Sequence, residues 1–360
     1  MLSYRPRLIA TMILFVLASL ASFAADSGGT WTFAVSGDSR NCGDVVMPAI
    51  AADAAKNNSQ FYWHLGDMRA MYDFDVDITK RPDRLASGKT LSITDYQNSA
   101  WQDFIDNEVA PFGNMPVYLG IGNHELVPPK TRADFLIQFA DWLNTPTLRE
   151  QRLKDDPGDR KLKTYFHWIQ GGVDFIYLDN ASADQFDAAQ MKWFEAVLKR
   201  AQQNPAVKTV VLGTHAALPQ SLSVHHSMND YPQQEQTGLR VYSDLLKFQN
   251  DSKKHVYVVS SHQHFYMGGV YNTQYWREHG GVIPGWIVGT AGAFRYKLPA
   301  EAAQASDKAE FKSGYLLGTV HSDGTVDFQF REMKQEDVPQ QTQAKYGADL
   351  VRYCFIENHE

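Results

Sequence analysis

A single elaborated α/β domain is what the sequence predicts, and three observations carry that expectation. Short β-rich apolar runs recur, each followed by Gly and a polar cluster and then by a helically spaced pattern, the alternation that covers sheets with helices. With 360 residues, 44% of them apolar, and eight Trp, the chain can bury a sizeable core. No internal repeat, low-complexity tract or linker interrupts the pattern.

The first two dozen residues stand apart. Arg5 and Arg7 precede an apolar run from Leu8 to Leu20, and Ser22-Phe23-Ala24 places small residues where a signal peptidase reads, so residues 1–24 are expected to be a cleaved signal peptide. The run of 13 residues is short of the roughly 20 that span a bilayer, so no stable membrane anchor is expected after its removal. The mature chain is then periplasmic or secreted. Loss of Arg5 and Arg7 deepens the formal charge from −7 to −9. Such a surface repels polyanions and argues against a general nucleic-acid or anionic-membrane binder.

Residues 30–36 read as the first strand, ending in Gly37-Asp38, and 44–56 as a helix with Val46, Ile50 and Ala54 at helical spacing. The second strand, 61–65, ends in Gly66-Asp67. A long excursion follows to about residue 116, with a polar loop over 75–89 and a helix from about residue 94 that turns Trp101, Phe104 and Ile105 inward. The third strand, 116–121, ends in Gly122-Asn123-His124-Glu125. Residues 131–144 are again helical, and the charged stretch 149–163 reads as an exposed loop. Gly171-Gly172 turns a hairpin of 165–169 and 173–178, and a capped helix covers 187–203 with Met191, Phe194, Val197 and Leu198 on one face. Strand 209–212 ends in Gly213-Thr214-His215, and strand 255–259 in Ser260-Ser261-His262-Gln263-His264. The runs 286–288, 315–320 and 326–330 read as antiparallel strands completing a sheet. The domain is expected over 30–335, with 336–360 as a C-terminal tail.

Five strand ends thus deliver, in order, Asp38, Asp67, Asn123 with His124, His215, and His262 with His264. One such residue alone is ordinary turn chemistry. Five in succession point to a site, because the carboxyl ends of strands in open α/β sheets converge on one edge. Carboxylates, an amide oxygen and imidazoles together suit one or two transition-metal ions, divalent or trivalent (Mn, Zn, Fe or Co), better than Ca or a structural zinc. His262 and His264, two apart on an extended segment, can face the same centre.

This order of motifs resembles the calcineurin-like metallophosphoesterase superfamily, purple acid phosphatases included, over nearly all of residues 31–330. The resemblance implies a four-layer α-β-β-α sandwich: two mixed β-sheets face to face, flanked by helices, with the site at one edge. It also implies metal-dependent hydrolysis of a small phosphorylated substrate. Asp67 would bridge two ions, Asn123, His215 and His262 would complete one site, and Asp38 and His264 would belong to the other. His124 would protonate the leaving oxygen.

Position 40 departs from the pattern. The family places a His two residues after the first Asp; here Arg40 stands, whose guanidinium stays protonated and has no lone pair to give a metal. Purple acid phosphatases compensate with a Tyr three residues after the second Asp, but that position is Ala70, and Tyr72 lies five after. Asn41, Asp44 and His64 are further candidates that spacing does not rank. Either the first ion is held by Asp38, Asp67, His264 and water, or it is absent and Arg40 supplies the charge. The preferred role for Arg40 is a bidentate grip on a phosphate oxygen beside the metal; the rival is pairing with Asp44 or another carboxylate at the rim.

Other readings stay open at this level. Cys42 and Cys354 allow a disulfide, two unpaired thiols, or Cys42 as a soft ligand. His225 and His226 line the pocket or sit in an exposed loop, and Tyr266, Tyr271, Tyr275 and Trp276 stack a substrate ring or fill the core. Hydrolysis of a phosphomonoester is preferred over a diester. The competing function is a phosphate- or ligand-binding protein that kept the fold.

Overall fold

The structure, a computed structural model, describes residues 29–75, 77–78, 91–182 and 185–360. The expected signal peptide and most of the 75–89 loop lie outside the described residues.

Two mixed sheets form the centre. The five-stranded sheet runs β12 (Val326–Met333), β11 (Ser313–Val320), β1 (Trp31–Ser36), β2 (Ser59–His64), β3 (Val117–Leu119). Its β1, β2 and β3 are parallel, and β11 pairs antiparallel with β1 and β12. The seven-stranded sheet runs β10 (Asp307–Ala309), β8 (Tyr266–Gly268), β9 (Gly285–Val288), β7 (His255–Ser260), β6 (Thr209–Thr214), β5 (Val173–Leu178), β4 (Phe166–Gln170). Here β5, β6, β7 and β9 are parallel, and the outer strands antiparallel.

The sheets meet through aromatic side chains. Phe33 stacks on Phe61 with centroids 5.3 Å apart, and Phe61 meets Phe175 edge-on at 5.1 Å across the interface. Trp63 meets Trp168 the same way at 5.3 Å. Such pairs add about 0.5–1.5 kcal/mol each beyond area burial. Because side chains alternate along a strand, β5 sends Phe175 and Tyr177 to this interface and Ile176 and Leu178 to the other face. There they join Phe194 and Val197 of helix Ala188–Gln203 and Val241 and Leu245 of helix Pro232–Ser252. Helix Gly43–Lys56 covers the smaller sheet. The four layers implied by the resemblance are those observed.

Several local expectations are corrected. The stretch read as an exposed loop begins inside helix Pro146–Asp155, started by the Thr145 hydroxyl accepting the Leu148 N–H with Pro146 at the first helical position. It buries only Leu148, so it lacks the apolar period that would reveal it. The run 286–288 does not continue with 315–320: β9 lies in the larger sheet, parallel to β7, whereas β11 and β12 belong to the smaller one. The 21-residue helix Pro232–Ser252, behind the larger sheet, had no forecast. Cys42 and Cys354 form a disulfide across 312 residues, tying the C-terminal helices to the loop after β1.

Candidate metal centre

The site is assembled by sharp exits from parallel strands. Asp38, Asp67 and His262 each take the left-handed backbone region, with φ of 59°, 59° and 67°. Non-glycine residues there carry strain, a pattern that collects at functional sites. Within each sheet neighbouring exits are laced together: Asp38 N–H donates to the Gly66 carbonyl at 2.9 Å and Ser39 N–H to the Asp67 carbonyl at 3.1 Å in the smaller sheet, and Ser261 N–H to the His215 carbonyl at 2.8 Å in the larger. A Cβ on Gly122 would fall on the Asp67 carboxylate and backbone, so the motif needs glycine there. Glu125, two residues past Asn123, accepts N–H groups of Gly122, Asp67 and Met68 at 2.7–2.9 Å and so locks the third exit onto the second.

One donor atom from each of Asp38, Asp67, His215 and His262 lies within 4.8 Å of the others. Asp38 Oδ1, Asp67 Oδ2 and His262 Nδ1 are buried without a hydrogen-bond partner, a costly state unless a cation is held among them. The His215 ring makes the same point. Its Nδ1 lies 3.0 Å from the Leu65 carbonyl and must donate, which turns the Nε2 lone pair toward Asn123 Oδ1 at 3.0 Å and Asp67 Oδ1 at 3.3 Å, both acceptors. Burial opposes the His215 imidazolium, but the Asp67 carboxylate pushes its pKa up to about 9. Burial likewise opposes the Asp67 anion, yet His124, His215 and Arg40 hold that carboxyl well below its usual range. These residues fit a transition-metal ion of the N/O-ligated kind.

Arg40 stands among them, its guanidinium turned toward protein acceptors. Its Nη1 pairs with Asp75 Oδ2 and lies 2.6 Å from His124 Nε2, and its Nη2 lies 2.9 Å from His264 Nε2. Both terminal nitrogens of the fork therefore face protein acceptors, while Nε is buried without a hydrogen-bond partner. Asp44, the other proposed partner, instead pairs with Arg69 at 2.8 Å. The first-site residues are placed together but around the guanidinium: His264 Nε2 is 3.3 Å from Asp38 Oδ1 and Arg40 Nε is 4.0 Å from Asp67 Oδ2. His124 donates from Nδ1 to the Arg69 carbonyl at 3.2 Å and accepts at Nε2 from Arg40. Burial and the Arg40 charge depress its pKa to about 4, so in this arrangement it carries no proton for a leaving group at neutral pH.

The centre floors a cavity of about 680 Å³, lined by Arg40, Asn123, His124 and His262 and walled by the aromatics Tyr72, Phe74, Phe294, Tyr296 and Tyr353. Tyr72 stacks on Phe74 and meets His124 edge-on at 5.0 Å. His225 and His226 are both exposed; His226 approaches the His262 ring at 5.4 Å and lines the cavity, whereas His225 offers its backbone carbonyl to Gln263. Tyr266, Tyr271 and Trp276 are core residues. Asn41 and His64 serve neighbours rather than the centre: Asn41 holds Asp75 and the Phe294 N–H, and His64 faces Ser39 and the Gly66 N–H. Asp75, Glu125 and the cavity aromatics other than Tyr72 went unread as site residues in the sequence; of these only Glu125 carried a signal, its place in the Gly122–Glu125 motif. Another depression, near Thr164 and Asp179, holds an Arg132–Asp179 ion pair and, among the described residues, no such donor cluster.

Two facing mixed sheets with Asp, Asn and His gathered at their common carboxyl edge define a metal-centre protein of the two-sheet α/β class. The chain belongs to the calcineurin-like phosphoesterase family, whose family model matches residues 46–266, a stretch that starts after Asp38 and Arg40. Among solved structures it is similar to a purple acid phosphatase, PPD1, isolated from yellow lupin (Lupinus luteus) seeds, with 14% identity, a TM-score of 0.58 and coverage of 85% of this chain and 52% of that one. It is similar also to PhoD, at 15% identity and TM-score 0.52, over 84% of this chain and 68% of that one. At these identities the likeness is one of fold, and the chain spans about half the length of the lupin enzyme. No curated protein matches the sequence.

Proposed function

We propose that the protein is a metal-dependent hydrolase of phosphate esters, acting on small phosphorylated substrates in the periplasm or outside the cell, with monoesters preferred over diesters. The observation that carries this is the set of buried, partnerless donor atoms of Asp38, Asp67 and His262 beside the inward lone pair of His215, opening onto the cavity. Asp67, Asn123, His215 and His262 would hold the ion, with Asp38 in reach. An ion bound there supplies Lewis acidity and a water nucleophile active near neutral pH. The chain's own part is to fix the donors by strained exits, to set the Arg40 charge over the phosphate site, and to exclude bulk water with the aromatic walls. The disulfide suits an oxidising compartment and supports export. Among the described residues no helix is long and apolar enough to cross a membrane.

A phosphate-binding protein is the second reading, and one contact favours it: His124 Nε2 is occupied by Arg40 and is not free to protonate a leaving oxygen. Aryl phosphates, which leave without a proton, therefore make the test substrate. Turnover of an aryl monoester with added Mn or Zn, abolished by a chelator and restored by the ion, is the expected result. Full metal loading with no cleavage across mono- and diesters would leave the binding reading standing instead.

A further inference from the structure

Resting on the metal-dependent reading above, we propose that the centre takes a single metal ion and that the Arg40 guanidinium is a built-in replacement for the second.

Two imidazoles at opposite ends of the cluster show why. His215 turns its Nε2 lone pair inward onto acceptors only, Asn123 Oδ1 at 3.0 Å and Asp67 Oδ1 at 3.3 Å, so that end calls for a cation. His264 is built alike: its Nδ1 lies 2.6 Å from the Phe294 carbonyl and donates, which sends the Nε2 lone pair inward beside Asp38 Oδ1. There, however, the lone pair meets Arg40 Nη2 at 2.9 Å. The same fork meets His124 Nε2 at 2.6 Å, and its Nε points toward Asp67 Oδ2 at 4.0 Å. One end of the cluster turns its ring nitrogen onto acceptors only, and the other already meets a guanidinium.

Arg40 is fixed in that place. It is 8% exposed. Asp75 pairs with its Nη1 and, through the other oxygen, accepts from Asn41 Nδ2 at 2.7 Å, while Asn41 Oδ1 accepts the Phe294 N–H at 2.8 Å. Two residues on, Cys42 is bolted to Cys354. A guanidinium keeps its proton at any ordinary pH, so the charge is permanent. Charge balance agrees: Asp38, Asp67 and Asp75 bring three negative charges, which one divalent ion and one guanidinium match. A second divalent ion would have to bind His264 and Asp67 across space the guanidinium occupies, with like charges in contact. Asp75 is thereby a positioning residue for the substitute cation.

The test counts ions. Protein loaded with Mn(II) and freed of excess is analysed by elemental analysis, native mass spectrometry and electron paramagnetic resonance. Expected for the wild type is one Mn per chain with the spectrum of an isolated ion. Arg40→His, which restores a ligand where the fork stands, is expected to take two per chain with an exchange-coupled spectrum, and Arg40→Lys, which keeps a cation, to stay at one. Two coupled ions in the wild type, or a single ion in Arg40→His, would overturn the proposal while the phosphoesterase reading survived. A wild type that binds no ion at all would instead sink the metal reading itself. Should Arg40→His not fold, the wild-type count and spectrum still decide.

Discussion

Two arginines in the same corner of the fold, Arg40 and Arg69, both pair with carboxylates and differ in how many they meet and in what else they touch. Arg69 is fully buried and meets Asp44 at 2.8 Å, Asp77 at 3.0 Å and Glu108. Burial raises the Glu108 carboxyl well above its usual range, so it enters the cluster as an acid more than as an anion. Arg40 meets a single carboxylate closely, Asp75, and spends its remaining contacts on the lone pairs of His124 and His264. The difference teaches that a guanidinium closed by carboxylates holds a fold together, whereas one facing imidazole lone pairs at a cavity floor acts as a charge in a site.

Replacing Arg69 is the harshest way to break that comparison. Arg69→Met keeps bulk but leaves Asp44, Asp77 and Glu108 buried against each other, and the expected cost is about 3–5 kcal/mol of stability. Urea unfolding measures it. A loss under about 1 kcal/mol would mean that the cluster relaxes to neutral acids and that Arg69 is no keystone.

Arg40→Gln sharpens the contrast from the other side. Removing a fixed charge from a site of this kind costs about 100-fold in kcat, or about 2.7 kcal/mol, while the loss of unfolding free energy should stay below that of Arg69→Met, which leaves three acidic groups unpaired rather than one close partner. Aryl phosphate kinetics run beside urea melts give both numbers. If Arg40→Gln behaves like Arg69→Met, losing fold before function, the two arginines are one kind of residue and the distinction fails.

How much of this was legible follows from the range of the interactions. Each site ligand sits within a few residues of a strand end, so Gly37-Asp38, Gly66-Asp67, Gly122–Glu125, His215 and His262–His264 announce themselves through local chain geometry. The partners that decide what Arg40 does are not local. Asp75 lies 35 residues away and Glu108 lies 39 from Arg69, and no period links such pairs. Asp44 was a named candidate for Arg40, yet it turns to Arg69, a choice set by the direction in which helix Gly43–Lys56 leaves the loop. Helix Pro146–Asp155 hid because its exposed surface carries no apolar stripe, and the aromatic cavity wall because Tyr72, Phe74, Phe294, Tyr296 and Tyr353 come from three distant segments.

The mildest probe of the comparison uses a cation whose charge can be switched off. His167 lies between Asp174 at 2.7 Å and Asp155 at 2.5 Å, with Arg200 also on Asp155 at 2.9 Å. Burial opposes its protonation, yet Asp174 and Asp155 raise its pKa from 6.5 to about 9. A histidine that gains protons on folding contributes stability in full below its unfolded pKa and loses it as pH rises through the folded one. The pair with Asp155 is partly open to solvent and screened, so the contribution should be about 2 kcal/mol rather than the full linkage value. His167→Gln, unfolded in urea at pH 6 and at pH 9.5, is expected to lag the wild type by that amount at the lower pH and by much less at the higher. A gap that does not change with pH would show His167 acting by shape alone, and the claim that carboxylates clamp cations to hold this fold would then rest on Arg69 without support from a second site.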